Sequence, residues 1–167
     1  MVPLARAYGA ALVVGCIDED KQQAQAITRA RKLQIAQRSH DLLTTKYGVA
    51  AEDIIFDALV FPVGTGDQNY IGSGVETIEG IRLIKQALPA CKTILGVSNV
   101  SFGLPARAAL SASFLAMAIE AGLTSAIMNP LSAETMTTVR AADLLVGNDE
   151  YGMAWIAALR AREAASA

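Results

Sequence analysis

The chain has 167 residues, 53% hydrophobic and 18% charged, with a formal net charge of -2, the composition of one globular domain. A weakly acidic chain lacks the field that neutralises phosphates, so nucleic acid is not an expected partner. Membrane insertion is not expected either, because no apolar run approaches roughly 18 residues and no signal-peptide pattern opens the chain.

The first predicted strand is the apolar run 11–15. A helical pattern follows it, with Ala26, Ala30, Leu33, Ala36, His40, Leu43 and Tyr47 at spacings of three and four, stopped by Gly48. The second strand covers residues 54–56 and precedes the stripe Val75, Ile78, Ile81, Ile84 and Leu88, which ends before Pro89. The third covers 93–97, and the helix after it, over 106–121, is apolar nearly all round and closes at Gly122. The fourth covers 125–128, and Ser132 is the expected N-cap of the next helix, with Glu134 in its first turn. Residues 148–167, with Trp155, Ile156 and Leu159, read as a terminal helical tail of a domain spanning 1–167. None of the strand runs alternates polar with apolar, the pattern of strands covered on both faces.

The order is therefore βα repeated four times, which implies a parallel sheet with right-handed crossovers. A doubly wound sheet and a piece of a (β/α) barrel both satisfy it. The cysteines, Cys16 and Cys91, form neither a CxxC pair nor a disulfide framework, which points to a reducing cytoplasm.

Ligands of parallel βα folds bind at the carboxyl ends of the strands, and the polar residues cluster there. Asp57 directly follows the second strand. Its carboxylate can take two parallel hydrogen bonds from an amidine-like donor edge, such as the N3-H and 2-amino group of a pterin, or it can cap backbone N-H groups of a nearby loop. Asn99 carries a donor and an acceptor on one amide, which suits a ligand nitrogen that changes its bonding during reaction; it can instead close its own turn. Ser98 and Ser101 are expected to shape that turn. Arg107 stands where it can meet an anionic ligand tail or decorate a helix start. The glycine-rich stretch 64–74 has neither a P-loop ending nor GxGxxG, and reads as a mobile active-site loop. His40 reads as a helix-packing residue, and Asp18, Glu19, Asp20 and Lys21 as a solvated loop.

The stretches 8–14, 53–57 and 96–105, the last containing Ser98, Asn99, Val100 and Ser101, resemble the pterin-binding domain of cobalamin-dependent methionine synthase. The stretches 114–118 and 126–130 are similar also to methyltetrahydrofolate:corrinoid protein methyltransferases. The resemblance runs from about Leu4 to Leu145. It implies a (β/α)8 barrel of which this chain supplies strands five to eight, the carboxyl-terminal half. It implies methyltetrahydrofolate as substrate and methyl transfer to the cobalt of a cobalamin or other corrinoid held by another domain or protein. On that resemblance Asp57 is the aspartate on the pterin ring, Asn99 the catalytic asparagine beside N5, and Arg107, with Ser98, a further folate-site residue. Two departures stand out. Ala58 replaces the proline that usually follows the aspartate, and strands one to four, which bring further pterin contacts, lie outside this sequence. Open sheet edges then imply a homo-oligomer. Two other readings remain: a non-catalytic half barrel that only self-associates, and another pterin enzyme such as dihydropteroate synthase, against which the Ser98–Ser101 context stands.

Overall fold

The computed structural model describes residues 1–18, 20 and 25–166. Glu19 and Lys21, two of the four residues expected in a charged loop, lie outside the described residues. In chain order the elements are α1 (Val2–Tyr8), β1 (Leu12–Gly15), α2 (Arg29–Asp41), β2 (Ile54–Asp57), α3 (Ser73–Ala87), β3 (Lys92–Gly96), α4 (Arg107–Glu120), β4 (Ser125–Ile127), α5 (Ala133–Leu145) and α6 (Met153–Ser166). Helix α1 has no counterpart in the sequence reading. It is seven residues long and buries none of them, so no apolar stripe announces it. The expected cap is present, with Ser132 accepting from the Thr135 N-H at 3.3 Å; Thr28, which was not anticipated, caps α2 in the same way by accepting from the Arg31 N-H.

The four strands form one parallel sheet in the order β1-β2-β3-β4. This order decides between the two architectures. A doubly wound sheet reverses direction at a switch point, which sends helices to both faces. Here every crossover moves one strand the same way, and right-handed crossovers then place the helices on one face. The chain is half of a (β/α)8 barrel: four βα units of an α/β fold.

Burial follows from this. Ile54, Phe56, Thr93 and Leu95 are fully buried and pack in the core with Ile35, Ile81, Ile84 and Leu115. On the opposite face Val13 is 61% and Ile127 63% exposed. The expectation of strands covered on both faces is corrected accordingly: helices cover one face only. The runs lack alternation because the interior-facing positions of a barrel are as apolar as those facing its helices. Among the described residues, β1 pairs only with β2 and β4 only with β3, so both outer edges of the sheet are open. No described helix is long and apolar enough to cross a membrane.

Helix α2 also departs from its expected stripe. Lys32, Ile35 and Ala36 are its buried residues, and Leu43 is buried in the π turn Leu42–Lys46 that continues it, while Ala30 is exposed. A lysine occupies an inward position that periodicity assigns to an apolar residue. The helix opposite makes room for it: a Cβ on Gly80 of α3 would stand 2.7 Å from Lys32 Cδ.

Candidate functional site

Strand register sets the site. Gly15 pairs with Asp57, Asp57 with Ile94, and Gly96 with Ile127, which brings the four carboxyl ends side by side. Alternation along β2 turns Ile54 and Phe56 toward the helices, so Asp57 shares the open face with Ile55. Asp57 Oδ1 accepts from the Leu59 N-H at 2.9 Å. Its other oxygen, Oδ2, has no hydrogen bond among the described residues, so capping the loop leaves one acceptor for a ligand. Leu59 adopts φ 60, a left-handed conformation that is strained for a side chain of this kind.

Strand β3 runs straight into a 3-10 turn, Val97–Ser101. Val97, Val100 and Ser101 anchor it by burial, while Ser98 and Asn99 face outward. The Asn99 carboxamide has no partner among the described residues. The turn is closed by its backbone, through the Phe102 N-H to the Asn99 carbonyl at 3.2 Å, and by the Ser101 hydroxyl donating to the Ser98 carbonyl at 3.2 Å.

Asp57, Ser98 and Asn99 line one open cavity of about 450 Å³, together with Gln25, Leu59, Val60, Phe61, Gly96 and Ile127. Gln25 was not singled out in the sequence; its backbone is held there by an antiparallel bridge to Ile17. Arg107 does not line this cavity. It borders a second one of about 520 Å³, with Ser101, Ser111, Asn129 and Thr135, and the two cavities share Ser98 and Ile127. Arg107 Nε donates to Ser101 Oγ at 3.2 Å and Nη2 to the Ser98 carbonyl at 3.0 Å, so its guanidinium braces the turn that carries Asn99.

Other expectations resolve differently. Asp18 is buried, not solvated: Arg31, on the first turn of α2, grips it with Nε at 2.5 Å and Nη2 at 2.7 Å. Hydrogen bonding from the Arg31 guanidinium holds its carboxyl down at about 2. His40 is partly buried beside Asp41, away from the strand ends, as a packing residue would be. The glycine-rich loop is anchored. Val63 N-H donates to the Val100 carbonyl at 3.1 Å, Asp67 caps the turn Gln68–Tyr70, and Tyr70 stacks on Phe61 with centroids 5.2 Å apart. A Cβ on Gly64 would overlap Leu104, so glycine is needed where that loop crosses the next one.

Lys32, which sequence reasoning passed over, lies directly behind the cavity wall. Its Nζ donates to the carbonyls of Ala58 at 2.5 Å and Leu59 at 3.1 Å and stands 5.0 Å from the Phe61 ring centroid. Burial pushes its ammonium down to about 8.

A family model described as pterin binding enzyme matches residues 1–129, which take in all four strands, Asp57, Ser98, Asn99 and Arg107. The chain is 42% identical over 128 residues to a methionine synthase of Mycobacterium leprae, and equally to one of Mycobacterium tuberculosis. Each alignment covers 75% of this chain and 10% of the relative, so the match spans about a tenth of those proteins.

Proposed function

The chain belongs to the pterin-binding enzyme family, and from that premise we propose that it binds methyltetrahydrofolate and presents the N5-methyl group to Co(I) of a corrinoid held by another domain or protein. One observation carries the reading: a carboxylate with a free oxygen, Asp57, and an unpartnered carboxamide, Asn99, face the same cavity at the ends of adjacent strands. The pterin donor edge would meet Asp57, and its N5 would meet the Asn99 amide. A methyl group on a neutral tertiary amine has a poor leaving group, so a hydrogen bond to N5 that strengthens in the transition state speeds transfer. The corrinoid supplies the nucleophile, which leaves this chain to bind, orient and donate hydrogen bonds. Ser98 lines the folate cavity, and Arg107 keeps the Asn99 turn in place.

The open edges of β1 and β4, with exposed Val13 and Ile127 between them, favour a partner on that face: a second copy or the complementary half of a barrel. Both cysteines are free and buried, which suits the reducing cytoplasm. Calorimetric titration with methyltetrahydrofolate tests the reading. Asp57→Ala should weaken binding by about 1.5–3 kcal/mol, the worth of a charge-assisted hydrogen bond. Equal affinity in the two chains removes Asp57 from the site; if neither binds, the same pair is compared in a barrel with all eight strands, where binding by neither removes the folate assignment.

A further inference from the structure

We propose that Lys32 is a positioning residue of the folate site: from behind the cavity wall, its ammonium holds the backbone of the β2–α3 loop in the shape that aims Asp57 at the ligand. The proposal rests on the folate reading above for its ligand, but its geometry stands independently.

An ammonium taken out of water is unfavourable unless it is paired, and most buried lysines pair with a carboxylate. Lys32 is fully buried, and among the described residues no carboxylate lies within ion-pair distance of it. Its partners are the Ala58 and Leu59 carbonyls and the face of Phe61. The Leu59 carbonyl also accepts from Thr77 Oγ1 at 3.1 Å. Two donors from two helices thus fix the orientation of one residue in a left-handed conformation. The N-H of that same residue binds Asp57 Oδ1. The loop carbonyls face Lys32, while Leu59, Val60 and Phe61 line the cavity on the other side. Gly80 completes the device, since a larger residue would intrude on the lysine stem. A lysine kept in this position at an energetic disadvantage, with its ammonium's contacts all in one loop of the site, is better explained by that loop than by the core.

The ammonium should matter as a charge, not only as a filler of space. The ionisable groups acting on it are Cys16 at the end of β1, Asp57 on β2 and Glu76 on α3. Burial pushes the Cys16 thiol up to about 12, and Arg29 holds the Glu76 carboxyl below its ordinary range. With Lys32 at about 8 and Cys16 at about 12, the amine is the one of these two whose charge changes between pH 7 and 9.5.

The test is methyltetrahydrofolate titration of the full chain across that pH range, in wild type, Lys32→Met and Thr77→Val. If the charged form organises the loop, wild-type affinity falls by up to roughly thirtyfold from pH 7 to 9.5. Lys32→Met should bind at least tenfold more weakly at pH 7 and lose the pH dependence. Thr77→Val should weaken binding but keep it. Lys32→Met binding as tightly as wild type overturns the proposal and leaves the folate reading intact. Hydrogen exchange of the Leu59 amide in the ligand-free chain decides the matter if wild type does not bind. Acceleration confined to residues 57–61 in Lys32→Met supports the proposal, and unchanged exchange overturns it. Should Lys32→Met fail to fold, Leu59 exchange in Thr77→Val and in wild type at pH 7 and 9.5 decides. After correction for the intrinsic effect of pH, loss of protection supports the proposal and constant protection overturns it.

Discussion

Lys32 sets an unusual dependence of stability on pH. Burial places its ammonium at about 8 in the folded chain, against 10.5 for the unperturbed side chain. Between these values the unfolded chain retains a proton that the folded chain has released, so stability rises with pH across the window. At about 1.36 kcal/mol for each pH unit, the interval from 8 to 10.5 is worth about 3 kcal/mol in full. Cys16 works the other way. Burial pushes its thiol from 9.0 up to about 12, so above pH 9 the unfolded chain ionises first and stability falls. Burial pushes the Cys91 thiol up as well, so wild type should gain stability from pH 8 to 9 and lose it above that, where both thiols oppose the amine. Lys32→Met keeps the thiol and removes the amine. Its stability relative to wild type should decline by about 3 kcal/mol between pH 7 and 10.5. Urea unfolding followed by circular dichroism, with both chains at stepped pH, measures the difference directly. Parallel curves through the window would refute the reasoning, because they would mean that the amine titrates as it does in water.

Asn99→Ala, in a barrel with all eight strands, should slow single-turnover methyl transfer to Co(I) by about tenfold or more while weakening folate binding less; stopped-flow spectra at saturating folate read that step. Loss of affinity with an unchanged transfer rate would reduce Asn99 to a binding residue. Asp18→Asn should destabilise the chain at neutral pH. Since Arg31 holds the native carboxyl at about 2 against an ordinary 3.8, the gap between the two chains should be complete above about pH 4 and close as pH falls through 2. Urea unfolding between pH 2 and 6 follows it, and a constant gap would mean that the pair adds nothing. Sedimentation at micromolar concentration should give at least the mass of a dimer; a cooperative, soluble monomer would show that the open edges of β1 and β4 need no partner.

The architecture was legible because each apolar run ends at a polar cluster and each following helix carries its own stop, such as Gly48 or Pro89. Asp57 and Asn99 were legible as candidates because strand ends are where βα folds place ligand groups, and the structure brings both to one cavity. Periodicity left the doubly wound and barrel arrangements equal; strand order separated them. Arg107 was readable as a cation near the site, but its two anchors, Ser98 and Ser101, become visible only once the 3-10 turn folds back over the start of α4.

What the sequence determined by itself is local: which segments are strands, where helices begin and stop, and which polar groups fall at strand ends. Tertiary structure alone decided which charges are buried. The helical stripe of α2 was read from apolar residues, and so it passed over Lys32, whose long apolar stem packs against Gly80 while its amine reaches carbonyls 26 and 27 positions away. Asp18 was assigned to solvent for the same reason, since its partner Arg31 lies 13 residues on in the sequence. Apolarity is a property of one residue, whereas the satisfaction of a buried charge depends on groups that only the folded chain brings together.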